Sequence, residues 1–239
     1  MTQLRPSGPN ATSPTAPRKG LLSRPAVWTA SAALLAFVAC APEGARQAEA
    51  APPGAAQAAK TQTQAPRIAD FELKDHTGKV HRLHALKDAK AVVLVMQGVG
   101  CPIVRKLTPT LKQLEAEYAA KGVKFLMVNS NIQDTPEVIA AEAEKFGLKT
   151  PVLKDQDQSI GRRLNAVRTA ETFVIDPKTW TVLYHGPIDD RLTYGRERAA
   201  AESHYVKDVL NGLLAGRKPA FAKLEADGCL INYVTPEKA

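Results

Sequence analysis

The sequence predicts an α/β domain, on three observations. Two β-branched, largely apolar runs, Ala89–Met96 (AKAVVLVM) and Val123–Val128 (VKFLMV), each holding a single lysine, have the composition of strands buried on both faces of a sheet. Each run is followed by a stretch with helical spacing of apolar residues and recognisable helix ends. Buried strands alternating with helices call for parallel pairing and right-handed crossovers. Third, two short alternating runs flank a turn at each end of this region, giving one hairpin before it and one after.

Taken in order, Ile68–Leu73 and Val80–Leu83 flank Asp75-His76-Thr77-Gly78, the first hairpin. Ala89–Met96 is the first buried strand. A helix follows from about Pro102 to Ala120, with Leu107, Leu111, Leu114 and Tyr118 as its buried stripe and a kink expected at Pro109. Val123–Val128 is the second buried strand. Thr135-Pro136-Glu137 opens a helix with a cap residue and a first-turn proline, and Gly147 closes it. Pro151–Leu153 reads as a short strand and Gln158–Leu164 as a short helix. Thr172–Ile175 and Thr181–Tyr184 flank Asp176-Pro177-Lys178-Thr179, the second hairpin, placed at the end of the sheet. A long helix from about Glu197 to Leu214 buries Tyr205, Val206, Val209, Leu210 and Leu213, and Gly216 ends it. The domain spans residues 67–239, with a C-terminal extension from about 217.

The first third of the 239-residue chain has another character. Arg18, Lys19 and Arg24 precede an apolar stretch from Ala26 to Ala41 broken only by Thr29 and Ser31. As a helix it would rise about 24 Å, short of the roughly 30 Å hydrocarbon core. A basic flank, a short apolar core and small residues at its end are the layout of a secretory signal. Phe37-Val38-Ala39-Cys40 resembles the bacterial lipoprotein signal, which implies a signal segment 1–40, lipid on Cys40, and a place on the periplasmic side of a bacterial cell envelope, anchored to its membrane. Phe37 departs from the Leu, Val or Ile of that signal. A cut after Ala39-Cys40-Ala41 without lipid, and an uncleaved anchor, are the alternatives, and all three take the chain out of the cytoplasm. Residues 41–66, rich in Ala, Pro, Gln and Thr, bury too little apolar surface to offset their ordering entropy and read as a disordered linker.

Composition excludes several functions. Aromatic residues make up 5%, too few for a base-stacking platform. Four of the 32 basic residues and none of the 24 acidic ones precede Cys40, so the net charge of +8 falls to +4 for a chain that starts there. Mild basicity spread along a chain concerns solubility, so no nucleic-acid partner is expected. Three cysteines do not make a disulfide scaffold.

The informative cysteine is Cys101, in Gly98-Val99-Gly100-Cys101-Pro102-Ile103-Val104-Arg105, where a buried strand ends and a helix begins. The free N–H groups and positive dipole end of that helix favour an anion, so a thiolate here has a depressed pKa. Arg105, one turn on, adds a second positive charge. The carboxyl end of a parallel strand is also where open α/β sheets place their sites. The competing reading is a small buried core residue, since free cysteine is among the most buried types.

With these residues in view, the chain resembles the redoxin, AhpC/TSA-type peroxiredoxin-like branch of the thioredoxin-like superfamily. The resemblance covers about residues 66–216. It is carried by Ala69-Asp70-Phe71-Glu72-Leu73 with Gly78-Lys79, by Gly100-Cys101-Pro102, by Thr172-Phe173-Val174-Ile175-Asp176, and by Tyr184-His185-Gly186-Pro187-Ile188-Asp189-Asp190-Arg191. It implies a thioredoxin-like fold, with a central mixed sheet flanked by helices, and redox chemistry at Cys101. The departures narrow the reaction. Val104 stands where a CxxC reductase has its second thiol. Leu94 and Gly98 stand where a peroxiredoxin has Pro and Thr, so its peroxide-orienting hydroxyl is missing. Ala170 stands where a cis-proline faces the active cysteine, and a cis bond before Ala would cost about 2.5–4 kcal/mol.

With Cys40 lipidated, Cys101 and Cys229 are the remaining thiols, and in an oxidising envelope such a pair often bridges. Cys229, in Asp227-Gly228-Cys229-Leu230-Ile231, is either a resolving thiol for Cys101 or a purely structural one. His76, His81 and His84 around the first hairpin read as surface residues, and Asp189-Asp190 as exposed loop acids. Gly98-Val99-Gly100 lacks the third glycine of a dinucleotide loop, since Ile103 takes its place. The expectation is an exported thiol-dependent oxidoreductase or antioxidant without cofactor or metal. Cys101 is its nucleophile, Arg105 its helper and Cys229 its resolving partner, acting on peroxides or on thiol or disulfide protein partners. The alternative is a non-catalytic thioredoxin-fold binding module, or a copper chaperone using Cys101 with a histidine such as His185 or His204.

Overall fold

The computed structural model describes residues 65–217 and 219–235. The expected signal segment with Cys40, and the expected linker as far as residue 64, lie outside the described residues. A two-stranded antiparallel hairpin comes first, β1 (Glu72–Lys74) and β2 (Val80–Arg82), with Leu73 opposite His81. Then follow β3 (Ala91–Gln97), α1 (Pro102–Tyr118), β4 (Val123–Asn129), α2 (Pro136–Phe146), β5 (Val152–Lys154), α3 (Ser159–Arg163), β6 (Thr172–Asp176) and β7 (Thr181–Gly186). A small hairpin, β8 (Leu192–Thr193) and β9 (Arg196–Glu197), precedes α4 (Tyr205–Leu214) and β10 (Ala222–Lys223). Six strands form one mixed sheet in the order β10-β7-β6-β3-β4-β5. β3, β4 and β5 run parallel, and β6 pairs antiparallel with β3.

Every residue of β3 is buried, as the unbroken apolar run requires of a strand covered on both faces. Val93 and Val95 pack with Val104, Leu107 and Leu111 of α1 and with Val206 and Leu210 of α4. Val92, Leu94 and Met96 face Phe71, Leu83, Ile160 and Phe173 on the other side. The expected α1 stripe of Leu107, Leu111, Leu114 and Tyr118 is buried, and the Tyr118 hydroxyl donates to Asn211 Oδ1 at 2.7 Å, locking α1 to α4. Pro109 sits inside a continuous α1. Thr135 caps α2 by accepting from the Val138 amide, and Gly147 ends it in the left-handed region at φ 57°.

Three expectations need correction. The last helix starts at Tyr205, not near Glu197. Ala199-Ala200-Ala201 favours a helix locally. The Asp190 carboxylate instead takes the Glu202 and Ser203 amides, and residues 196–197 pair with β8, so tertiary bonds override propensity. The β6–β7 hairpin does not end the sheet, because β10 from the C-terminal extension adds a short parallel strand beyond β7. Finally, the histidines near the first hairpin are partly buried. His81 is 2.6 Å from Asp75 Oδ2, His76 Nδ1 accepts from the Val152 amide, and His84 stacks on Trp180. Among the described residues no helix is long and apolar enough to cross a membrane.

Candidate active site

The site is built where β3 hands over to α1. Cys101 is the N-cap of α1 with extended backbone, and Pro102 occupies the first turn, where its missing N–H costs nothing. The Gly98–Gly100 loop leading into it is held from below by two buried carboxylates. Asp134 accepts from the Val99 amide at 2.9 Å, and Glu142 accepts from the Gly100 amide at 3.0 Å. The side chains behind the loop are joined as well. Asn129 donates to Gln97 Oε1 at 2.6 Å and to Asp134 at 2.8 Å, and Gln97 donates to Glu142. Gly100 has φ 80°, which suits glycine.

Arg105 is turned toward this anchor. Its Nε donates to Glu142 Oε1 at 3.0 Å, and its guanidinium lies 5.4 Å from the centre of the Phe146 ring. Because Glu142 also holds the Gly100 amide, Arg105 is tied to the loop and not to the sulfur. Val104 points into the core, and its backbone amide is directed at Cys101.

The facing wall is the loop before β6. Thr169 is fully buried, and its hydroxyl donates to Cys101 Sγ at 3.0 Å. Ala170 has φ 67°, a left-handed conformation that costs a non-glycine residue some strain. It is held there by a bond from its amide to the Met96 carbonyl at 2.7 Å, while the Met96 amide donates to the Glu171 carbonyl. Glu171 Oε1 gathers the Val167 and Arg168 amides, and Oε2 pairs with His185 at 2.6 Å. A Cβ added to Gly98 would come within 2.6 Å of Thr169 Cγ2 and of Asn131 Nδ2, so Thr169 occupies the space a side chain at 98 would need.

Cys229 arrives on the C-terminal tail, which lies along the Thr169 loop as a short antiparallel bridge centred on Arg168 and Leu230. The Thr169 amide donates to the Cys229 carbonyl at 2.8 Å, the Ile231 amide to the Val167 carbonyl at 2.9 Å, and the Cys229 amide to the Thr169 hydroxyl at 2.9 Å. A Cβ on Gly228 would overlap the Thr169 carbonyl oxygen, so this approach is open to glycine alone. Further on, Gln158 pins the tail with both ends of its amide, donating to the Asn232 carbonyl and accepting from the Val234 amide, each within 2.9 Å.

Both thiols are free, but their environments differ. Cys101 is 2% exposed, and burial alone would raise its pKa. The Thr169 hydroxyl bond to its sulfur, with the Val104 amide and Cys229 close by, outweighs burial and holds it below its ordinary value. Cys229 is exposed, yet its pKa is pushed up to about 11 by desolvation and by the neighbouring Cys101. The structure therefore brings two sequence-predicted residues, Cys101 and Cys229, to one site. His185 is paired with Glu171, and His204 precedes α4 without a capping bond. Asp190 serves the 202–203 backbone and Asp189 the Arg191 amide. Among the described residues no group of three or more His, Cys, Asp or Glu side chains is placed to hold a metal ion. The one sequence signal for Thr169 is that it directly precedes Ala170, which stands at the position facing the active cysteine.

A model of the AhpC/TSA family matches residues 62–184, a span that includes Cys101 and Thr169 and ends before Cys229. The thiol-disulfide oxidoreductase ResA of Geobacillus kaustophilus is 31% identical over 107 residues, 45% of this chain and 60% of that protein's length. The chain thus spans less than two thirds of this curated relative. Among solved structures, an uncharacterized conserved protein from Geobacillus kaustophilus is 27% identical with a TM-score of 0.64, covering 74% of this chain and 95% of that one. A hypothetical protein from Sinorhizobium meliloti 1021 is 26% identical with the same TM-score, covering 72% and 95%. The family match over half of the chain, the mixed sheet and the cysteine at the strand-to-helix junction agree: the chain belongs to the AhpC/TSA family, in the redoxin branch of the thioredoxin-like superfamily.

Proposed function

We propose that this protein is an exported thiol-dependent oxidoreductase in which Cys101 is the nucleophile and Cys229 the resolving thiol. The observation that carries the reading is the joining of both cysteines through one hydroxyl, Thr169, which donates to the Cys101 sulfur and accepts from the Cys229 amide. With a hydroperoxide, the Cys101 thiolate attacks an oxygen, the O–O bond breaks, and water or an alcohol leaves as Cys101 becomes a sulfenic acid. The Cys229 sulfur then attacks Cys101, the S–O bond breaks, and hydroxide leaves with the Cys229 proton as water. With a disulfide partner, Cys101 displaces one partner thiol and Cys229 displaces the other. Both routes end in a Cys101–Cys229 disulfide, which an external dithiol returns to the reduced form with two electrons.

Similarity to a protein named as a thiol-disulfide oxidoreductase supports exchange with protein partners. Burial of Cys101 favours a slim first substrate, or a tail that lifts away from a larger one. The basic flank, short apolar segment and Cys40 support export to the cell envelope with lipid on Cys40. Oxidation of the purified chain by hydrogen peroxide is expected to remove two hydrogens in mass and to join the Cys101 and Cys229 peptides. Cys229→Ser is expected to stop at a Cys101 sulfenic acid trapped by dimedone, and Cys101→Ser to give neither product. A Cys101 that stays a thiol under these conditions overturns the reading.

A further inference from the structure

We infer that Thr169 is a positioning residue for both thiols, supplying from the facing loop the hydroxyl that Gly98 does not carry. The inference rests on the thiol chemistry proposed above and names what prepares it. Three features of the geometry lead to it. Thr169 Oγ1 has its proton on Cys101 Sγ at 3.0 Å and a lone pair on the Cys229 amide at 2.9 Å, so one atom serves both residues. A Cβ at position 98 would lie 2.6 Å from Thr169 Cγ2 and from Asn131 Nδ2, so a hydroxyl-bearing residue there could enter only by displacing both side chains. The side chain has no freedom to turn away: it is fully buried, its amide is bonded to the Cys229 carbonyl, and its own carbonyl is in contact with Gly228.

A fixed O–H aimed at a sulfur stabilises the thiolate over the thiol, because hydrogen bonds to a charged partner are the stronger ones. Burial opposes ionisation of Cys101, and only donors placed this way can reverse it. The bond to the Cys229 amide has a second effect. It fixes the tail in register, so the resolving cysteine stands beside the sulfur it must attack and the bridge forms within the chain.

Thr169→Val keeps the shape and the methyl packing and removes only the hydroxyl, whereas Thr169→Ser keeps the hydroxyl. The test follows iodoacetamide labelling of the Cys101 peptide in the full chain, by mass spectrometry, from pH 5 to 10. Thr169→Val is expected to move the inflection upward by about one pH unit or more, which is about a tenfold slower reaction at any pH well below both inflections. Its rate is expected to rejoin that of the parent protein at pH 10, where both are ionised. Thr169→Ser is expected to follow the parent profile, and Cys101–Cys229 bridge formation after peroxide is expected to slow in Thr169→Val alone. A Thr169→Val profile that overlays the parent overturns the inference while leaving the thiol reading intact. A slowing that persists at pH 10 and is not rescued by Ser also overturns it, because that is a packing defect. A parent protein whose Cys101 titrates at an ordinary thiol value and forms no bridge fails the underlying reading instead.

Discussion

Cys101 and Cys229 share a site but are held by opposite means. Cys101 sits on the scaffold, at a helix N-terminus over a loop anchored by Asp134 and Glu142, buried and shifted down. Cys229 sits on a tail paired to one loop, exposed and shifted up to about 11. Exposure is commonly taken as the mark of the reactive thiol, yet here the order of acidity is the reverse of the order of exposure. Donors aimed at a sulfur outweigh burial at Cys101, whereas desolvation, with the neighbouring Cys101 sulfur, raises Cys229 despite its exposure. The pair is thus divided into a sulfur that ionises first and one that keeps its proton to higher pH.

The largest expected effect is on the pH profiles. Cys101 is expected to ionise below its ordinary value as pH rises, and Cys229 only near pH 11. At pH 7 Cys101 then holds the larger thiolate fraction by far, partly offset by the lower intrinsic nucleophilicity of the more acidic thiol. Alkylation of each cysteine measured peptide by peptide checks this. Equal profiles would break the comparison.

A smaller effect is expected from Gly228→Ala. The new Cβ meets a backbone oxygen that cannot yield, so the tail must leave the Thr169 loop and uncover Ile231, at a cost of about 2–3 kcal/mol. Thermal unfolding should show the loss, and labelling should show Cys101 more accessible but less acidic. The smallest effect is expected from Gln158→Ala, about 1–2 kcal/mol, since it frees the far end of the tail while the bridge at Thr169 stays paired. Its Cys101 pH profile should match that of the parent protein. A Gln158→Ala profile shifted as far as that of Gly228→Ala would show that the tail acts as one unit.

What the sequence made legible is what depends on neighbours in the chain. The β3 and β4 runs, the α1 stripe, the Thr135 cap and the Gly147 stop are local patterns, and the structure has them where the sequence puts them. Cys101 at the mouth of α1 follows from the same patterns. The rest depends on residues far apart in sequence. Asp190 unmakes the first turns expected of the last helix, β10 extends the sheet from the C-terminal extension, and Thr169 reaches Cys101 across 68 positions. Helical spacing puts Arg105 one turn from the thiol, but its Nε donates to Glu142 on α2, and periodicity carries no information about α2. Gly228 was the one local hint of close backbone approach beside Cys229.

The distance in sequence between the two thiols has a thermodynamic consequence. A disulfide between neighbouring positions on one helix restrains little of the unfolded chain, whereas a bridge from Cys101 to Cys229 closes a loop of about 128 residues and is worth about 4–5 kcal/mol in lost unfolded-state entropy. With the proposed bridge closed, the folded domain is favoured over the unfolded chain by that amount, and reduction returns it to a state whose tail is held by hydrogen bonds and the packing of Ile231. By linkage, the same free energy favours the proposed disulfide in the folded chain over the unfolded one, so the melting temperature is expected to rise on oxidation and to fall on reduction.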